Sequence, residues 1–421
     1  MDAARADILW ARSRLAGQGW IGPRAEDFRH LPPPPAAVWL GDGAADACQA
    51  PAAEGSGWTL RPIGAVAGGA FTARWLDAQD AAQRAELRAG LPSGAEGQAA
   101  PFDWAHRALC RHGLRLRLGG ADAGRETPPV WLQLEHLPRA TLEAPLLVID
   151  VDPGMRCVLV ETHDRASRHC GHPIVQNLQV HLRLGDGASV QHLRVVRPLA
   201  ADRLAHHIHL QLGREARYAQ ALLADSSAYH LQRQHVVLAG AGAQARCATV
   251  AFAAGGALDQ QIDVGHAAER SVSEVRTLVL AGGQANVVAN ARARIAPGSR
   301  DAAVLQRLSG IPTGGRPRIV LRPHLEILHD QVRAAHGATW GALPADALFY
   351  ASQRGLDDAQ ARALVIEGLA RDLLERTLAE AGAPEALALD ERIAAAVAAH
   401  LAASAPAPTA PTTAVPEPHH D

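Results

Sequence analysis

Lysine is missing from the 421-residue chain, and all 41 of its basic side chains are arginine. A phosphate-cradling P-loop needs a lysine, and no GxxxxGK[ST] string occurs. No GxGxxG follows a strand and opens a helix; Gly240 and Gly242 read as turn glycines. Aromatic residues make up only 4% of the chain while 48% is apolar, so a large core must come from small and branched aliphatic side chains. A formal net charge of −2 gives no electrostatic case for binding nucleic acid or anionic lipid. The five cysteines, Cys48, Cys110, Cys157, Cys170 and Cys247, form no CxxC pair and match neither zinc-finger nor ferredoxin spacing. They read as scattered reduced thiols. No stretch approaches the ~18 apolar residues of a membrane span. The start, Met1-Asp2-Ala3-Ala4-Arg5-Ala6-Asp7, lacks the apolar centre of a signal peptide. A soluble, cytoplasmic protein is expected.

Texture divides the chain into residues 1–126, 127–341, 342–403 and 404–421. The first region is helical or mixed. Helices are predicted around Ile8 to Leu15, from Leu76 to Leu91, and from Phe102 to Leu109, with a break at Pro32 to Pro35.

In the second region the hydrophobic period changes to two. Leu178, Val180, Leu182 and Leu184 alternate with Gln179, His181 and Arg183, as half-buried strands do. Ile208, Leu210 and Leu212 repeat the pattern, interleaved with His207, His209 and Gln211. Similar glycine-rich turns close several strands, beginning at Leu184, Leu212, Leu238 and Leu280. The first three recur at a spacing suited to stacked repeats. Short strands and loose repeats suggest a β-solenoid, with a β-sandwich as the alternative.

The third region reads as helix. Asp357 and Asp358 precede an alanine- and leucine-rich run in which Val365, Leu369 and Leu373 recur at a four-residue step. Gly382 and Pro384 interrupt it, and a second stripe follows at Ile393, Val397 and Leu401. The last region, rich in Pro, Ala and Thr, has little to bury and is expected to be disordered.

Two constellations merit a chemical reading. His206, His207 and His209 cluster on one strand, with His207 and His209 sharing a face in a way compatible with metal, although outward polar residues on a solvated sheet explain them as well. Arg322 to Gly341 is the densest polar stretch, and His336 stands before a glycine where a partner or ligand can approach its ring. No HExxH or GxSxG anchors a hydrolase.

The same stretch carries a resemblance. Pro323-His324-Leu325-Glu326-Ile327, then Asp330-Gln331-Val332 and His336-Gly337-Ala338-Thr339, resembles the P-x-L-E-I, D-D-V and H-G-A-T signature of the SufD branch of the SufB/SufD family. Leu348-Phe349-Tyr350 followed by Arg354-Gly355-Leu356 is similar to its sequel. Upstream, Pro23 leading to Glu26-Asp27-Phe28-Arg29 resembles the family's early segment. Asp259 and His266 fit its D-x₆-H spacing, with Val264 and Ser273 in place. Ala334 and Ala335 stand where the family usually has a cysteine, which removes any thiolate from that loop.

The resemblance implies a mainly β chain, a right-handed parallel β-helix flanked by N-terminal and C-terminal helical regions. It implies a non-enzymatic scaffold of iron–sulfur cluster assembly, paired with SufB and bound to the ABC-type ATPase SufC through its C-terminal helices. Sulfur would come from a cysteine desulfurase. His336 would be the site for iron or a nascent cluster at the SufB seam, with Phe349, Tyr350, Arg354, Gly355, Val365 and Leu369 binding partner. The alternative is a carbohydrate-active or purely structural β-helix protein.

Overall fold

A computed structural model describes residues 2–41, 57–65, 68–94, 97–119, 128–165, 171–378, 385 and 387–404. Cys48, Cys170, the Gly382–Pro384 break and the tail from residue 405 lie outside the described residues. The N-terminal region holds α1 (Ala3–Gln18), a 3-10 turn (Glu26–Phe28), α2 (Ala36–Leu40), β1 (Trp58–Pro62), β2 (Phe71–Asp77), α3 (Ala81–Leu87) and α4 (Ala100–Leu109). Leu76 therefore belongs to a strand and not to the helix predicted from it. The Asp80 carboxylate caps that helix by accepting from the Gln83 amide, 2.9 Å away.

Strands then follow one another: β3 (His112–Leu118), β4 (Val130–His136), β5 (Leu142–Glu143), β6 (Leu146–Val151), β7 (Arg156–Asp164), β8 (Val175–Leu184) and β9 (Ser189–Arg197). They continue through β10 (Arg203–Leu212), β11 (Arg217–Asp225), β12 (Tyr229–Leu238), β13 (Gln244–Ala253), β14 (Ala257–His266) and β15 (Val272–Ala281). The last are β16 (Asn286–Ile295), β17 (Ala302–Pro312), β18 (Arg318–Ile327) and β19 (Val332–Trp340). Three helices complete the description, α5 (Ala345–Gln353), α6 (Asp358–Glu375) and α7 (Leu389–Ser404).

Alternate strands join alternate sheets. One sheet runs β1-β4-β7-β9-β11-β13-β15-β17-β19, and the other runs from β2 and β3 through the even strands to β18. Each circuit lays one strand on each sheet, giving a parallel β-solenoid of about seven turns. A sandwich is excluded, because every strand pair after β1–β4 and β2–β3 is parallel. The parallel stack begins at β3, upstream of residue 127, where the change of period becomes visible in the sequence.

The turns explain the irregular repeat. Residues with positive φ recur at Gly154, Gly187, Glu215, Gly242, Arg270 and Asp301, all at the corner leading into an odd-numbered strand. The fourth turn read from the sequence, at Gly282 and Gly283, lies at the opposite corner, between β15 and β16, and so falls out of phase. Gly283 has no substitute there. Its φ is +59°, and a Cβ would sit 2.3 Å from the Ala254 carbonyl oxygen.

Three apolar layers hold the stack. Inward residues such as Leu178, Val180, Leu182, Ile208, Leu210 and Val236 fill the interior of the solenoid. Each side chain of this size stabilises by about 1.5–3 kcal/mol when fully buried. The outer face of the odd-numbered sheet is covered by α6 and α7, with Val160, Leu193, Val250 and Phe252 packed beneath Ile366, Leu374, Ile393 and Val397. Phe28, Trp39 and Phe102 of the N-terminal region cover Ala205, Leu231 and Val288 on the even-numbered sheet. Both faces of the parallel sheets are thus buried over most of their length.

The two ends differ. At the first, β1 and β2 pair antiparallel with β4 and β3, and the Trp75 indole donates to the Trp58 carbonyl at 3.3 Å. At the other, β18 and β19 end their sheets without a neighbour on the far side among the described residues.

Candidate functional site

The open end is built from β17, β18 and β19. In β19 the inward positions Val332, Ala334, His336 and Ala338 stack on Ala302, Val304, Gln306 and Leu308 of β17. Gln306 is buried, and its amide nitrogen donates to the His324 carbonyl at 3.3 Å. His336, one rung further out, is exposed, and among the described residues its ring makes no hydrogen bond or ion pair. The imidazole therefore sits on the lining of the solenoid at the point where the lining meets solvent. A Cβ on the neighbouring Gly337 would meet nothing within 4 Å, so the backbone there is open to close approach. Ile327, Leu328 and Trp340 are large apolar side chains left exposed around the same end, Trp340 to 60%. Pro323 occurs in the edge strand, where the loss of a backbone donor is tolerated; β19 has no proline.

The motif after β19 forms α5. Phe349 and Tyr350 are exposed, and the Arg354 guanidinium lies over the Tyr350 ring at 4.8 Å while donating to its hydroxyl at 2.6 Å. Gly355 ends the turn at φ +88°. Val365 and Leu369 pack on the core of their own helical layer, and Leu364 is the exposed apolar residue of α6. Phe349, Tyr350, Arg354, Gly355 and Leu364 are thus exposed, and Val365 and Leu369 are half-buried.

The histidine cluster is not a solvated face. His206 points inward between Gln176 (2.6 Å) and Gln232 (3.2 Å). His207 points outward but is covered by α4, its ring 5.1 Å from that of Phe102. His209 stacks on His181 at 4.6 Å. Burial drives all three below the usual imidazole range, His209 to about 4, so they are neutral. Among the described residues no group of three or more His, Cys, Asp or Glu side chains is placed to hold a metal ion.

Asp259 and His266 do not meet, because a separation of seven puts them on opposite faces of β14. Asp259 faces outward, buried beneath the N-terminal region, and burial pushes its carboxyl up to about 8. His266 faces inward, where Ser271 and Ser273 each hold one ring nitrogen at 2.8 Å. Ser273 is thus the partner of the histidine.

The N-terminal motif has a definite place. Asp27 is 7% exposed and accepts from Arg233 of β12 at 3.2 Å and Arg292 of β16 at 3.1 Å. Glu26 pairs with Arg322 of β18.

Sequence reasoning missed a charged cluster inside the solenoid. Glu161 accepts from Arg194 at 2.8 Å and from His163 at 2.7 Å, and His192 lies 3.1 Å from its other oxygen. Burial alone would raise this carboxyl; Arg194 and the imidazoles outweigh burial and hold it well below the usual range. Tyr218 bridges His192 (3.0 Å) and Gln220 (2.8 Å). The signal was present: Glu161 and His163 continue the inward series Cys157, Leu159, so period two alone places them inside. Cys110, Cys157 and Cys247 are buried free thiols, and burial pushes Cys157 and Cys247 up to about 12.

Residues 137–369 match the family described as SUF system FeS cluster assembly, SufBD core domain. A stretch of 61 residues is 43% identical to an iron-sulfur cluster assembly SufBD family protein of Synechocystis, covering 14% of each chain. The matched core contains the open end, His336 and the α5 motif, over more than half of the chain. A parallel β-solenoid whose residues 137–369 match this core domain, the chain belongs to the SufB/SufD family of iron–sulfur cluster assembly proteins.

Proposed function

We propose that this chain is a SufD-type scaffold subunit that carries no chemistry of its own. Its open end pairs with a SufB-type partner, and iron or a nascent iron–sulfur cluster, as cargo, is held at the seam. Its helical layer receives an ABC-type ATPase of the SufC class at Phe349, Tyr350, Arg354, Gly355, Val365 and Leu369, with Leu364 exposed beside them, and sulfur comes from a cysteine desulfurase. The assembly works in the cytoplasm, with neither nucleic acid nor nucleotide bound by this chain. The observation that carries the reading is the end of the solenoid, where, among the described residues, two sheets stop with unpaired edges and His336 faces solvent from the inner lining. Unpaired parallel edges are templates for a further strand. Imidazole is a borderline ligand suited to iron, and no thiolate competes in this loop. Family membership weighs against the carbohydrate-active alternative.

The test is co-expression with SufB and SufC homologues, size exclusion, and reconstitution of the purified complex with iron and sulfide. Wild type should co-elute with both partners and develop the visible absorbance of bound cluster. His336→Ala should co-elute unchanged, because its ring has no hydrogen-bond or ion-pair partner among the described residues, yet fail to develop the absorbance. Absence of co-elution in wild type refutes the scaffold reading. Equal cluster assembly by His336→Ala refutes the site.

A further inference from the structure

We propose that residues 26–30 form an ionic clasp that sets β18, the outermost strand of its sheet, and so makes the open end competent to pair. The inference rests on the reading of that end as the partner surface.

β18 is weakly held by burial. Of its ten residues only Leu321 is buried, in contrast to the nearly continuous burial of β10 or β14. A terminal strand with one neighbour and little buried surface is the first part of a sheet to fray. Its outer face also carries a charge problem. Arg318 and Arg322 project from β18 beside Arg292 of β16, with Arg233 of β12 two strands further in; on that stretch of sheet the acids nearby are Asp263, paired with Arg233, and Asp259, whose carboxyl burial pushes up to about 8. Cations on adjacent rungs repel one another.

The N-terminal turn supplies what is missing. Asp27 places one oxygen on Arg292 at 3.1 Å and the other on Arg233 at 3.2 Å. Its carbonyl accepts from Gln261 of β14 at 3.0 Å. Glu26 takes Arg322 through its carboxylate, and its carbonyl accepts from the same guanidinium at 3.3 Å. The His30 carbonyl accepts from Arg318 at 2.8 Å. One short segment thus bridges β12, β14, β16 and β18. Phe28, 1% exposed, pins it into the apolar layer that also receives Val320 of β18. Charge-assisted contacts of this kind hold geometry as well as contributing energy. The consequence is a link between the N-terminal region and the assembly edge.

The experiment is hydrogen–deuterium exchange on the full chain, with peptides covering β18 and, as an internal reference, β10. Glu26→Gln/Asp27→Asn keeps shape and removes both charges. β18 amides should exchange about tenfold faster or more, with β10 unchanged. Glu26→Gln alone alters a half-exposed side chain that the fold does not depend on, and should accelerate exchange around Arg322 only. If the double variant loses protection everywhere, the single variant decides. Unchanged β18 exchange in a folded variant overturns the clasp. Mixing with a SufB homologue is the second arm: the double variant should co-elute at least fivefold less, and equal co-elution overturns the link to pairing. Failure of wild type to co-elute strikes the scaffold reading instead, while the exchange data still judge the clasp.

Discussion

Arg194→Met tests the charged interior of the solenoid. Arg194 and Glu161 lie opposite one another on β9 and β7, both fully buried, 2.8 Å apart. Removing one partner of such a pair leaves an uncompensated buried charge, at a cost of about 3–5 kcal/mol. Unfolding entropy runs at about 2.1 cal/mol/K per residue, or about 0.5 kcal/mol/K for the roughly 230 residues of the stack. The loss should therefore lower Tm by about 6–10 °C. Adding Glu161→Gln to Arg194→Met removes the stranded charge and should recover much of it. The pH dependence gives a second handle. In wild type the Glu161 carboxyl is held low, so its contribution is present above the unfolded carboxyl range and is lost as pH falls through the folded value. Without Arg194, burial raises the same carboxyl, and its penalty disappears on acidification. The gap in Tm between wild type and Arg194→Met should shrink from pH 8 to pH 6. The assay is a thermal melt followed by far-ultraviolet circular dichroism. A gap under 2 °C, or one that does not shrink, would refute the account of Glu161 as a buried anion.

Acid should destabilise the protein, because burial lowers His209, His230, His266 and His400 to about 4 and His106 to about 3. The unfolded chain takes up protons near ~6.5 that the folded one refuses, so Tm should fall steadily between pH 6.5 and 4. Asp103, Glu143, Asp225 and Asp259, raised by burial, act in the opposite direction but are fewer; a flat profile would contradict this balance. Gly283→Ala should lower stability by about 1–3 kcal/mol in a denaturant titration, since it combines a left-handed backbone with a carbonyl 2.3 Å away. Gly337→Ala, which faces open space, should leave the titration unchanged, and equal effects would undo the corner argument.

Strand alternation was legible because it is local: a strand shows its two faces to the reader every two residues. What covers those faces is not local. His207 reads as solvated because the helix that buries it, α4, lies over ninety residues upstream. The same distance hid the role of Glu26 and Asp27, whose partners stand more than two hundred residues away. Glu161 was legible in principle, but a charged residue breaks a hydrophobic alternation and the eye ends the strand there. Val365 and Leu369, half-buried, form part of the roof over one sheet, a role that the helical stripe alone does not show. Deleting that layer would strip cover from Val160, Leu193 and Phe252, so the helices are not a detachable docking module.

The contrast between the two ends of the stack has a consequence for assembly. At the N-terminal end the direction of the strands reverses, β1 is short, and Arg61 and Pro62 blunt its edge. Among the described residues only the other end presents terminal strands that run parallel to the rest of the stack. On the reading proposed above the chain would be, in the language of polymer chemistry, a monofunctional monomer: it would join once through that end and then stop. On that reading the product of joining would be a pair, and not the fibre that is the ordinary hazard of exposed sheet edges.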